Sequence, residues 1–422
     1  MNLNIFHKEK SSLKEQHDKY TAGASTFSKS IYRFPEQYPN FIKSAEGCTL
    51  TDINNVKYTD FVSSLGAITL GYKNKHVDGA VINQINKGNL FSLISDVESE
   101  CAEFLCKQTK KDKVLFVKTG TDAVNAVIRL AKAYTNRPTI LYCSHGYHGW
   151  GSEFGISQSI NKGVNTELKQ HMIPFEYNNI EQLKSVLNDK VAAVLLEPIT
   201  YTYPDKGYLK ELLEVVHSNN SLVIADEIVT YPRFSRDLYT FQQNCDADLV
   251  CIGKGVANSY SFSAVVGNED ILKQRQNEEV FISGTFFGEA IGMVAAMKTL
   301  EIANHKNLSG HIWKIGSLLQ EKFNKLATEK EVPIVLYGLA PRMIFKYPDN
   351  LIKSLFLQET ANQNLIFGNI TYISLSHSQK VIEDTIKKCD EVLDNITLVI
   401  ENNNAEESII GRPCKDLQLR KS

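Results

Sequence analysis

Short apolar runs that end in a polar or charged residue recur through the middle of the chain. Each run holds four or five apolar or small residues, which is too short for a buried helix and typical of a strand covered on both faces. The runs cover residues 114–117, 139–143, 192–196, 222–225 and 249–252. Between them, apolar residues stand three and four positions apart, as in Leu209, Leu212, Leu213 and Val216. This alternation predicts an α/β fold with a mostly parallel central sheet and helices on both faces.

The flanking regions show a different pattern. Alternating residues at 48–53 and 57–62 surround the pair Asn54-Asn55, which predicts a β-hairpin. Toward the C-terminus we expect strands near 333–337, 342–347 and 372–375, and helices near 350–362 and 379–393. We therefore expect a large domain over 70–303 and a smaller α+β domain built from 1–69 and 304–422, in which 406–422 is a surface tail.

Composition places the chain among globular proteins. Its 422 residues are 43% hydrophobic and 22% charged, which allows a large buried core. The formal net charge of -2 gives no reason to expect nucleic acid or an anionic membrane as a partner. Residues 1–20 lack the apolar core of a secretion signal and no long apolar run follows, so we expect neither secretion nor a membrane span. The eight cysteines are scattered, which indicates reduced thiols in a cytoplasmic protein and no metal site.

Two of the predicted strands end in residues that carry chemistry. Asp226 and Lys254 each follow an apolar run, and Lys254 stands between Gly253 and Gly255. Because ligands of open α/β sheets bind at the carboxyl ends of the strands, both groups are expected beside a ligand. A buried carboxylate needs a cationic or hydrogen-bonding partner, and a desolvated amine can attack a carbonyl to form a Schiff base. We expect the flanking glycines to let another molecule approach the amine closely.

Pyridoxal phosphate is the cofactor that uses both groups. Lys254 would hold its aldehyde, and Asp226 would keep its ring nitrogen protonated, which strengthens the cofactor as an electron sink. An apolar run followed by Asp-Glu also occurs in P-loop ATPases, but their loop needs Gly and Ser or Thr where Asp248 and Gly255 stand here. A structural aspartate or a solvated lysine is an equal alternative for either residue alone, whereas the pair favours the cofactor.

A candidate phosphate site lies where a helix is predicted to begin. Gly120 and Thr121 follow a strand, and free N–H groups, the helix dipole and a hydroxyl converge at such a point. Because every strand-helix unit contains a helix N-terminus, a purely structural role is the alternative. Lys118 is a competing strand-end amine in this region, but no strand-end aspartate accompanies it.

Six short motifs occur in an order that resembles one enzyme family. They are residues 116–123 (FVKTGTDA), 146–149 (GYHG), 197–198 (EP), 226–227 (DE), 253–254 (GK) and 283–286 (SGTF). Together they resemble the class III aminotransferases, which have fold type I among pyridoxal phosphate enzymes. The branch that contains glutamate-1-semialdehyde 2,1-aminomutase is the most similar, and the resemblance covers the chain from about residue 41 to about residue 393.

The resemblance implies roles for individual residues. Gly120 and Thr121 would bind the cofactor phosphate, and Tyr147 and Ile228 would pack on opposite faces of its ring. Glu197 matches a family position near the cofactor. The implied reaction is amino transfer from an amino acid, with glutamate as the expected donor, to a carbonyl acceptor in ping-pong half reactions through the Lys254 Schiff base.

The resemblance also implies a homodimer. Gly284 and Thr285 would reach the cofactor phosphate of the neighbouring subunit, as the matching Gly-Thr pair does in the family. His148 matches a further family position near the cofactor.

The substrate side departs from the aminomutase pattern. Residues 25–27 (STF) lack the family's arginine, 63–66 (SSLG) lack its tryptophan, and 367–370 (FGNI) shorten a segment that carries an acidic gate. The loop at 63–67 either lines a pocket or only turns the chain. These changes favour a transaminase with another acceptor, such as a keto-sugar, a nucleotide-linked carbonyl compound or a small aldehyde, over an intramolecular aminomutase.

Three arginines are candidate anchors for an anionic group of the substrate, namely Arg33, Arg233 and Arg342. A guanidinium binds carboxylate or phosphate through two parallel hydrogen bonds. A surface arginine is the alternative for each of them. A protein that keeps the fold and only binds a ligand is a third hypothesis, but the intact set of Thr121, Asp226 and Lys254 argues against it.

Overall fold

The computed structural model describes residues 10–151, 153–157 and 160–415. Its strands are β1 Ile42–Glu46, β2 Thr49–Asp52, β3 Lys57–Asp60, β4 Lys113–Val117, β5 Thr139–Cys143, β6 Met172–Phe175, β7 Val191–Leu196, β8 Leu222–Asp226, β9 Leu249–Gly253, β10 Ser263–Gly267, β11 Val335–Leu339, β12 Arg342–Lys346 and β13 Leu365–Ile366.

The helices lie before, between and after these strands along the chain. They are α1 Lys10–Tyr20, the single turn α2 Ser63–Gly66, α3 Lys75–Ile85, α4 Asp96–Thr109, α5 Gly120–Thr135, α6 Ile180–Val186, α7 Tyr208–Ser218, α8 Tyr239–Gln242, α9 Glu269–Gln276, α10 Ala290–His305, α11 Leu308–Glu329, α12 Asn350–Asn362, α13 Gln379–Glu401 and α14 Ala405–Ser408. None of these helices, which cover only the described residues, has the length and apolar composition needed to cross a membrane.

A seven-stranded sheet forms the centre, in the order β4-β10-β9-β8-β7-β5-β6. The pairs from β9 to β6 are all parallel, whereas β10 runs antiparallel to both β9 and β4. The mostly parallel sheet is therefore confirmed, with one reversed strand. The reversal follows from chain length, because the nine residues 254–262 between β9 and β10 are too few for a crossover helix. The carboxyl ends of all strands except β10 consequently lie along one edge.

The side chains of the central strands alternate between two apolar clusters, one on each face of the sheet. Leu141, Val194 and Val223 belong to one cluster, and Ile140, Ala193 and Ile224 belong to the other. Strands β5, β7, β8 and β9 are buried along their whole length. Burial on both faces explains why these strands read as continuous apolar runs in the sequence.

A second sheet joins the two flanking regions of the chain. Its order is β1-β2-β3-β13, and β2 and β3 form the predicted hairpin. The turn between them includes Asn55 at a φ of 67°. β13 pairs with β3 in parallel, so a C-terminal strand completes a sheet begun near the N-terminus. β11 and β12 form a separate antiparallel pair. The predicted domain boundaries at 69/70 and 303/304 remain predictions.

One predicted strand, at 372–375, is wrong. Only Thr371 makes an isolated bridge, to Met343. The backbone of the next residues bonds to loops, since Tyr372 N donates to Phe61 O at 2.7 Å and Leu375 N donates to Thr69 O at 2.7 Å. The segment therefore bonds to loops and has no strand paired with it.

The C-terminal tail is only partly a surface extension. Arg412 donates to the carbonyls of Ile31 and Tyr32, at 3.1 and 2.9 Å, and so fastens the tail to the N-terminal segment. Cys414 is buried, and its backbone N donates to Ser354 Oγ at 3.1 Å. Residues 416–422, which the predicted tail includes, lie outside the described residues. All eight cysteines are free thiols.

Candidate active site

Five segments meet at the carboxyl edge of the central sheet, and each supplies predicted site residues. They are 118–121 after β4, 144–150 after β5, Glu197 after β7, Asp226 with Ile228 at the end of β8, and Lys254 after β9. The common direction of these strands is what places residues far apart in sequence beside one another.

Asp226 is buried and makes a close contact with His148. Nδ1 of His148 donates to Oδ2 of Asp226 at 2.8 Å, and the backbone N of Ile228 donates to Oδ1 at 3.2 Å. The ring of His148 is fully buried and meets the Phe154 ring edge-on at 5.2 Å. The predicted need of Asp226 for a hydrogen-bonding partner is thus met by an imidazole, and the paired carboxylate is held in one orientation.

Lys254 begins the turn between β9 and β10 with a φ of 46°, a left-handed conformation that is unfavourable for a lysine. Burial lowers the pKa of its amine to about 8, with a further lowering by the positive charge of Arg342. A lysine with this pKa has a reactive, unprotonated fraction near neutral pH. The lowered pKa agrees with the Schiff base expected at Lys254, which stays a prediction.

Gly253 and Gly255, the glycines beside Lys254, do not leave open space for another molecule as expected. A Cβ at Gly253 would lie 2.4 Å from Ser263 Oγ, and a Cβ at Gly255 would lie 2.5 Å from Thr69 Cγ2. The space beside these glycines is therefore filled by the protein itself, and they allow close packing of the turn rather than approach of another molecule.

Asn258 fixes the same turn to an earlier part of the chain. Its Oδ1 accepts from the backbone N of Thr69 at 3.0 Å and of Leu70 at 2.8 Å, and its Nδ2 donates to Gly71 O at 3.0 Å. Thr69 Oγ1 donates to Gly255 O at 2.8 Å. The position of Lys254 is thus set by residues 69–71 as well as by its own strand.

The predicted phosphate site lies at the start of α5. Thr119 is the N-cap, and its side chain forms a reciprocal capping pair with Asp122. Gly149 packs against this turn at a φ of 88°, and a Cβ there would lie 2.5 Å from Thr121 Oγ1. A Cβ at Gly120 would lie 2.8 Å from Ile228 Cδ1. Gly120, Thr121 and Ile228 are therefore neighbours, as their predicted roles around one cofactor require.

Glu197 connects the loop after β5 with a strand of the C-terminal region. Its Oε1 accepts from the backbone N of Tyr147 at 2.9 Å, and its Oε2 accepts from Nη1 of Arg342. Both side chains of this ion pair are almost fully buried, Arg342 being 3% and Glu197 4% exposed. The Arg342 guanidinium also lies over the ring of Tyr201, 4.7 Å from its centroid. Although burial opposes it, the Glu197 carboxylate holds the pKa of Arg342 above its usual value.

A family model described as aminotransferase class-III matches residues 33–339, which is most of the chain. The chain belongs to the class III aminotransferase family. The predicted family and fold type are confirmed, and so is pyridoxal phosphate as the cofactor of the family. The residues described above fit this cofactor, since a desolvated amine, a buried paired carboxylate and a helix N-terminus are the groups that it requires.

Two curated relatives and one solved structure illustrate the similarity. The 3-aminobutyryl-CoA aminotransferase of Cloacimonas acidaminovorans is 33% identical over 325 residues, covering 74% of this chain and 77% of the relative. The glutamate-1-semialdehyde 2,1-aminomutase of Syntrophobacter fumaroxidans is 28% identical over 386 residues, covering 83% and 89%. The FumI protein of Sphingopyxis sp. MTA144, solved with pyridoxal phosphate as internal aldimine, has a TM-score of 0.87 at 20% identity and covers 95% of this chain and 99% of its own.

Thr285 of this aminotransferase does not contact the site residues at the carboxyl edge of the central sheet. It is exposed on the segment between α9 and α10, and in the described part of the chain no hydrogen bond or ion pair joins it to Asp226 or Lys254. Tyr147 is 43% exposed. Phe281 and Phe286 on the Thr285 segment are also exposed.

Lys118 and Arg233, two other cations considered from the sequence, are bonded to groups of the protein itself. Lys118 forms an ion pair of 3.3 Å with Glu289, a partner that sequence pattern could not indicate. Arg233 is buried and donates to the carbonyls of Ile373, Gly66 and Ile68 at 2.6, 3.1 and 3.3 Å.

Arg33 and the loop at 63–67 are two further features that the sequence left open. Arg33 is also buried, and its guanidinium lies over the ring of Phe27 at 5.2 Å. The surface alternative is therefore wrong for Arg33, as it is for Arg233 and Arg342. The loop at 63–67 makes a left-handed turn, with φ near 50° at Ser63 and Ser64 and 60° at Leu65. A Cβ at Gly66 would lie 3.2 Å from the ring of Tyr372, so this turn packs against the Tyr372 ring.

Proposed function

We propose that this enzyme transfers an amino group from an amino acid donor, with glutamate as the first candidate, to a carbonyl acceptor in two ping-pong half reactions. The observation that carries the proposal is the position of Lys254. Its amine has a lowered pKa and lies at the same sheet edge as the buried pair of Asp226 and His148. This combination supports proton transfer at carbon, which every transamination needs.

The proximity of Gly120 to Ile228 at the start of α5 supports a site for pyridoxal phosphate there. Gly120 and Thr121 would bind its phosphate at the start of α5, and Tyr147 and Ile228 would pack on its ring. Bound in this way, pyridoxal phosphate supplies an electron sink for the bonds at the amino-bearing carbon. Asp226, oriented by His148, would keep a negative charge beside the ring nitrogen.

Lys254 would have two tasks in each half reaction. As a neutral amine it would hold the cofactor until a donor amine displaces it. The freed amine would then take the proton from the donor carbon and deliver it to the carbon that accepts it. The positive charge of Arg342 supports both tasks, because it favours the neutral form of Lys254.

An extended acceptor is supported by a groove next to the site. This groove, of about 470 Å³, is lined by Tyr201, Tyr203 and Tyr337, and Tyr201 is the residue that stacks on Arg342. Lys346 Nζ lies 3.6 Å from the centroid of the Tyr337 ring. Aromatic rings with a cation suit a nucleotide-linked or sugar-containing acceptor. The similarity to a 3-aminobutyryl-CoA aminotransferase, whose named substrate carries its amino group on a coenzyme A thioester, agrees with a substrate of this size.

A homodimer would complete the site. Gly284 and Thr285 would then contact the cofactor phosphate of the neighbouring subunit. The exposed apolar side chains of Phe281 and Phe286, on the same segment as Thr285, support a partner surface here, because large apolar side chains in one region commonly mark an interface. The free thiols support a cytoplasmic location.

The second candidate is an intramolecular aminomutase of the glutamate-1-semialdehyde type. It is favoured by the relative from Syntrophobacter fumaroxidans, which matches 83% of this chain. The sequence differences at 25–27, 63–66 and 367–370, all on the expected substrate side, weigh against it.

An absorbance titration distinguishes the two candidates. We expect the purified protein to take up pyridoxal phosphate and to show a band near the visible edge. One amino acid should then bleach this band with release of its keto acid, which identifies a transaminase. Conversion of glutamate-1-semialdehyde without any external donor would instead identify the aminomutase. A protein that takes up no pyridoxal phosphate would contradict both.

A further inference from the structure

Lys118 and Glu289 form an ion pair where two parts of the predicted cofactor site meet. The amine and the carboxylate are 3.3 Å apart, and the two side chains are only 14% and 15% exposed. Lys118 is two residues before Gly120, at the predicted phosphate site, and Glu289 is four residues after Thr285. Because taking two charges out of water costs free energy, a pair of this kind is better suited to fixing a geometry than to adding stability.

The segment that carries Thr285 is fixed at its beginning by two arginines. Arg129 on α5 donates from Nη1 to Phe281 O at 2.8 Å, and Arg275 on α9 donates from Nε to Ile282 O at 2.9 Å. The N-terminus of α5 is the predicted phosphate site. The beginning of the segment is therefore fastened to the helix of that site.

The ion pair fixes the other end of the segment. Glu289 is the N-cap residue of α10, but its carboxylate is directed to Lys118. Asn89 supplies the acceptors for this helix end, since Ala290 N donates to its backbone O at 2.9 Å and Ile291 N donates to its Oδ1 at 3.1 Å. The carboxylate of Glu289 therefore holds the end of β4, and another residue satisfies the helix.

Between these two anchors, Thr285 lies inside a tight turn. Phe287 N donates to Gly284 O at 3.0 Å, which closes a turn of four residues, and Glu289 N donates to Phe286 O at 3.2 Å. These two bonds restrict the backbone between Thr285 and Glu289. A shift of the Glu289 carboxylate would therefore be passed on to the Thr285 hydroxyl.

We propose that Lys118 and Glu289 are positioning residues, which aim Thr285 at the cofactor phosphate of the neighbouring subunit. This inference rests on the proposed homodimer and on the proposed contact of Thr285. The pair touches no cofactor itself, and it acts by fixing the Thr285 segment relative to β4. Its effect on a cofactor site therefore comes from the other subunit and depends on the phosphate group.

Two ligands that differ only in the phosphate test the proposal. Equilibrium dialysis measures the dissociation constants of pyridoxal phosphate and of pyridoxal for the apoenzyme. We expect Lys118→Met and Glu289→Gln each to weaken pyridoxal phosphate binding roughly 3-fold to 30-fold and to change pyridoxal binding less than about twofold. The double variant should lose no more than either single one, because the two residues act as one pair.

Two further variants control for the loss of charge and of packing. Lys118→Arg keeps the ion pair and should bind pyridoxal phosphate within about threefold of the wild type. Lys113 forms an ion pair of 3.6 Å with Glu269 at the other end of β4, so Lys113→Met should leave both dissociation constants unchanged.

Hybrid dimers show from which subunit the pair acts. A Lys254→Ala subunit cannot be linked to the cofactor by borohydride, so attachment reports on the other subunit's site. In a dimer of one Lys118→Met and one Lys254→Ala subunit, the reporting site faces an unaltered Thr285 segment, and we expect wild-type affinity. With both substitutions in one subunit, the reporting site faces the altered segment and should lose affinity.

Three results would overturn the proposal: the reverse pattern in the hybrids, equal losses for the two ligands, and unchanged pyridoxal phosphate binding in both single variants. Failure of the proposed function has a different signature. A protein whose variants and hybrids behave as expected, but whose wild type transfers no amino group, would refute the transaminase assignment alone.

Discussion

His148 Nδ1 lies 2.8 Å from Asp226 Oδ2, and both side chains are buried although they are 78 residues apart in the sequence. A second His-Asp pair gives a comparison, since His217 Nε2 lies 2.9 Å from Asp248 Oδ2. Asp248 precedes β9, at the opposite edge of the sheet from Lys254. The two pairs have similar geometry, but only the first lies where a ligand is expected.

We expect Asp226→Asn to lower turnover by about a hundredfold or more, because a neutral amide cannot keep a protonated ring nitrogen beside it. Steady-state kinetics and the absorbance spectrum of the holoenzyme check this. Asp248→Asn is the matched control and should leave the spectrum unchanged. An Asp226→Asn enzyme with wild-type turnover would contradict the role of the carboxylate.

For Lys254→Ala we expect turnover to fall about a thousandfold or more, because the variant loses both the covalent attachment and the proton-transferring amine. Borohydride reduction followed by mass spectrometry should find cofactor attached to the wild type and none attached to the variant. Lys118→Ala removes another strand-end amine, whose partner is Glu289, and should retain the attachment. Attachment at Lys118 in the wild type would show that the wrong lysine was chosen.

The rate of cofactor attachment should depend on pH near neutrality. The pKa of Lys254 is lowered from 10.5 to about 8, first by burial and then by Arg342. The amine reacts only when unprotonated, so the rate should rise with pH and reach half its plateau near pH 8. Stopped-flow mixing of apoenzyme with pyridoxal phosphate measures this profile. Arg342→Gln should move the midpoint upward, and a midpoint near 10.5 in the wild type would contradict the buried environment.

Thr285 should act on the neighbouring subunit. Thr285→Ala is expected to weaken cofactor binding roughly 10-fold to 100-fold, the effect of losing a hydrogen bond to a charged group. Hybrid dimers make the test specific. A dimer of one Lys254→Ala subunit and one Thr285→Ala subunit contains one site with both residues intact, and equilibrium dialysis should find wild-type affinity at that site. Failure of the hybrid to recover it would place Thr285 in its own subunit's site.

His377 should make the protein less stable in mild acid. Burial lowers its pKa from 6.5 to about 4, while Ser374 N donates to its Nδ1 at 3.0 Å. The unfolded chain binds a proton below pH 6.5 and the folded chain does not, so stability is full above 6.5 and falls until about pH 4. The loss approaches about 3 kcal/mol.

Urea denaturation at pH 7 and pH 5 measures this loss. His377→Gln should show a smaller difference between the two pH values than the wild type. His305→Gln changes an exposed histidine and serves as the control. An equal pH dependence in wild type and His377→Gln would exclude His377 as the cause.

The elements whose pattern is local could be predicted from the sequence. The runs of β5 and β9 and the stripe of α7 are set by burial of contiguous residues, and α12 was predicted at its observed bounds of 350–362. The reversed strand β10 could not be predicted, because its direction depends on the length of the turn from Lys254 and not on its own residues. The segment 372–375 has the composition of a strand but finds its partners in loops.

Some residues of the candidate site could likewise be predicted from a local sequence pattern, and others could not. Asp226 and Lys254 were found because each ends an apolar run, and Gly120 with Thr121 because a helix begins there. The contact of Glu197 with Arg342 joins residues 145 positions apart, and no local pattern records it. Likewise, three arginines are equal candidates by sequence alone, and only their hydrogen bonds distinguish Arg233 from Arg342.

Asn258 has a consequence for the order in which the enzyme is assembled. Residues 69–71, to which it bonds, leave the ribosome almost 190 residues before Asn258 does. Six of the seven strands of the central sheet, all except β10, are synthesised in this interval, so the early segment has to stay accessible until then. The bonds of Asn258 to this segment, which fix the turn that begins at Lys254, can therefore form only after β4 to β9 have been synthesised.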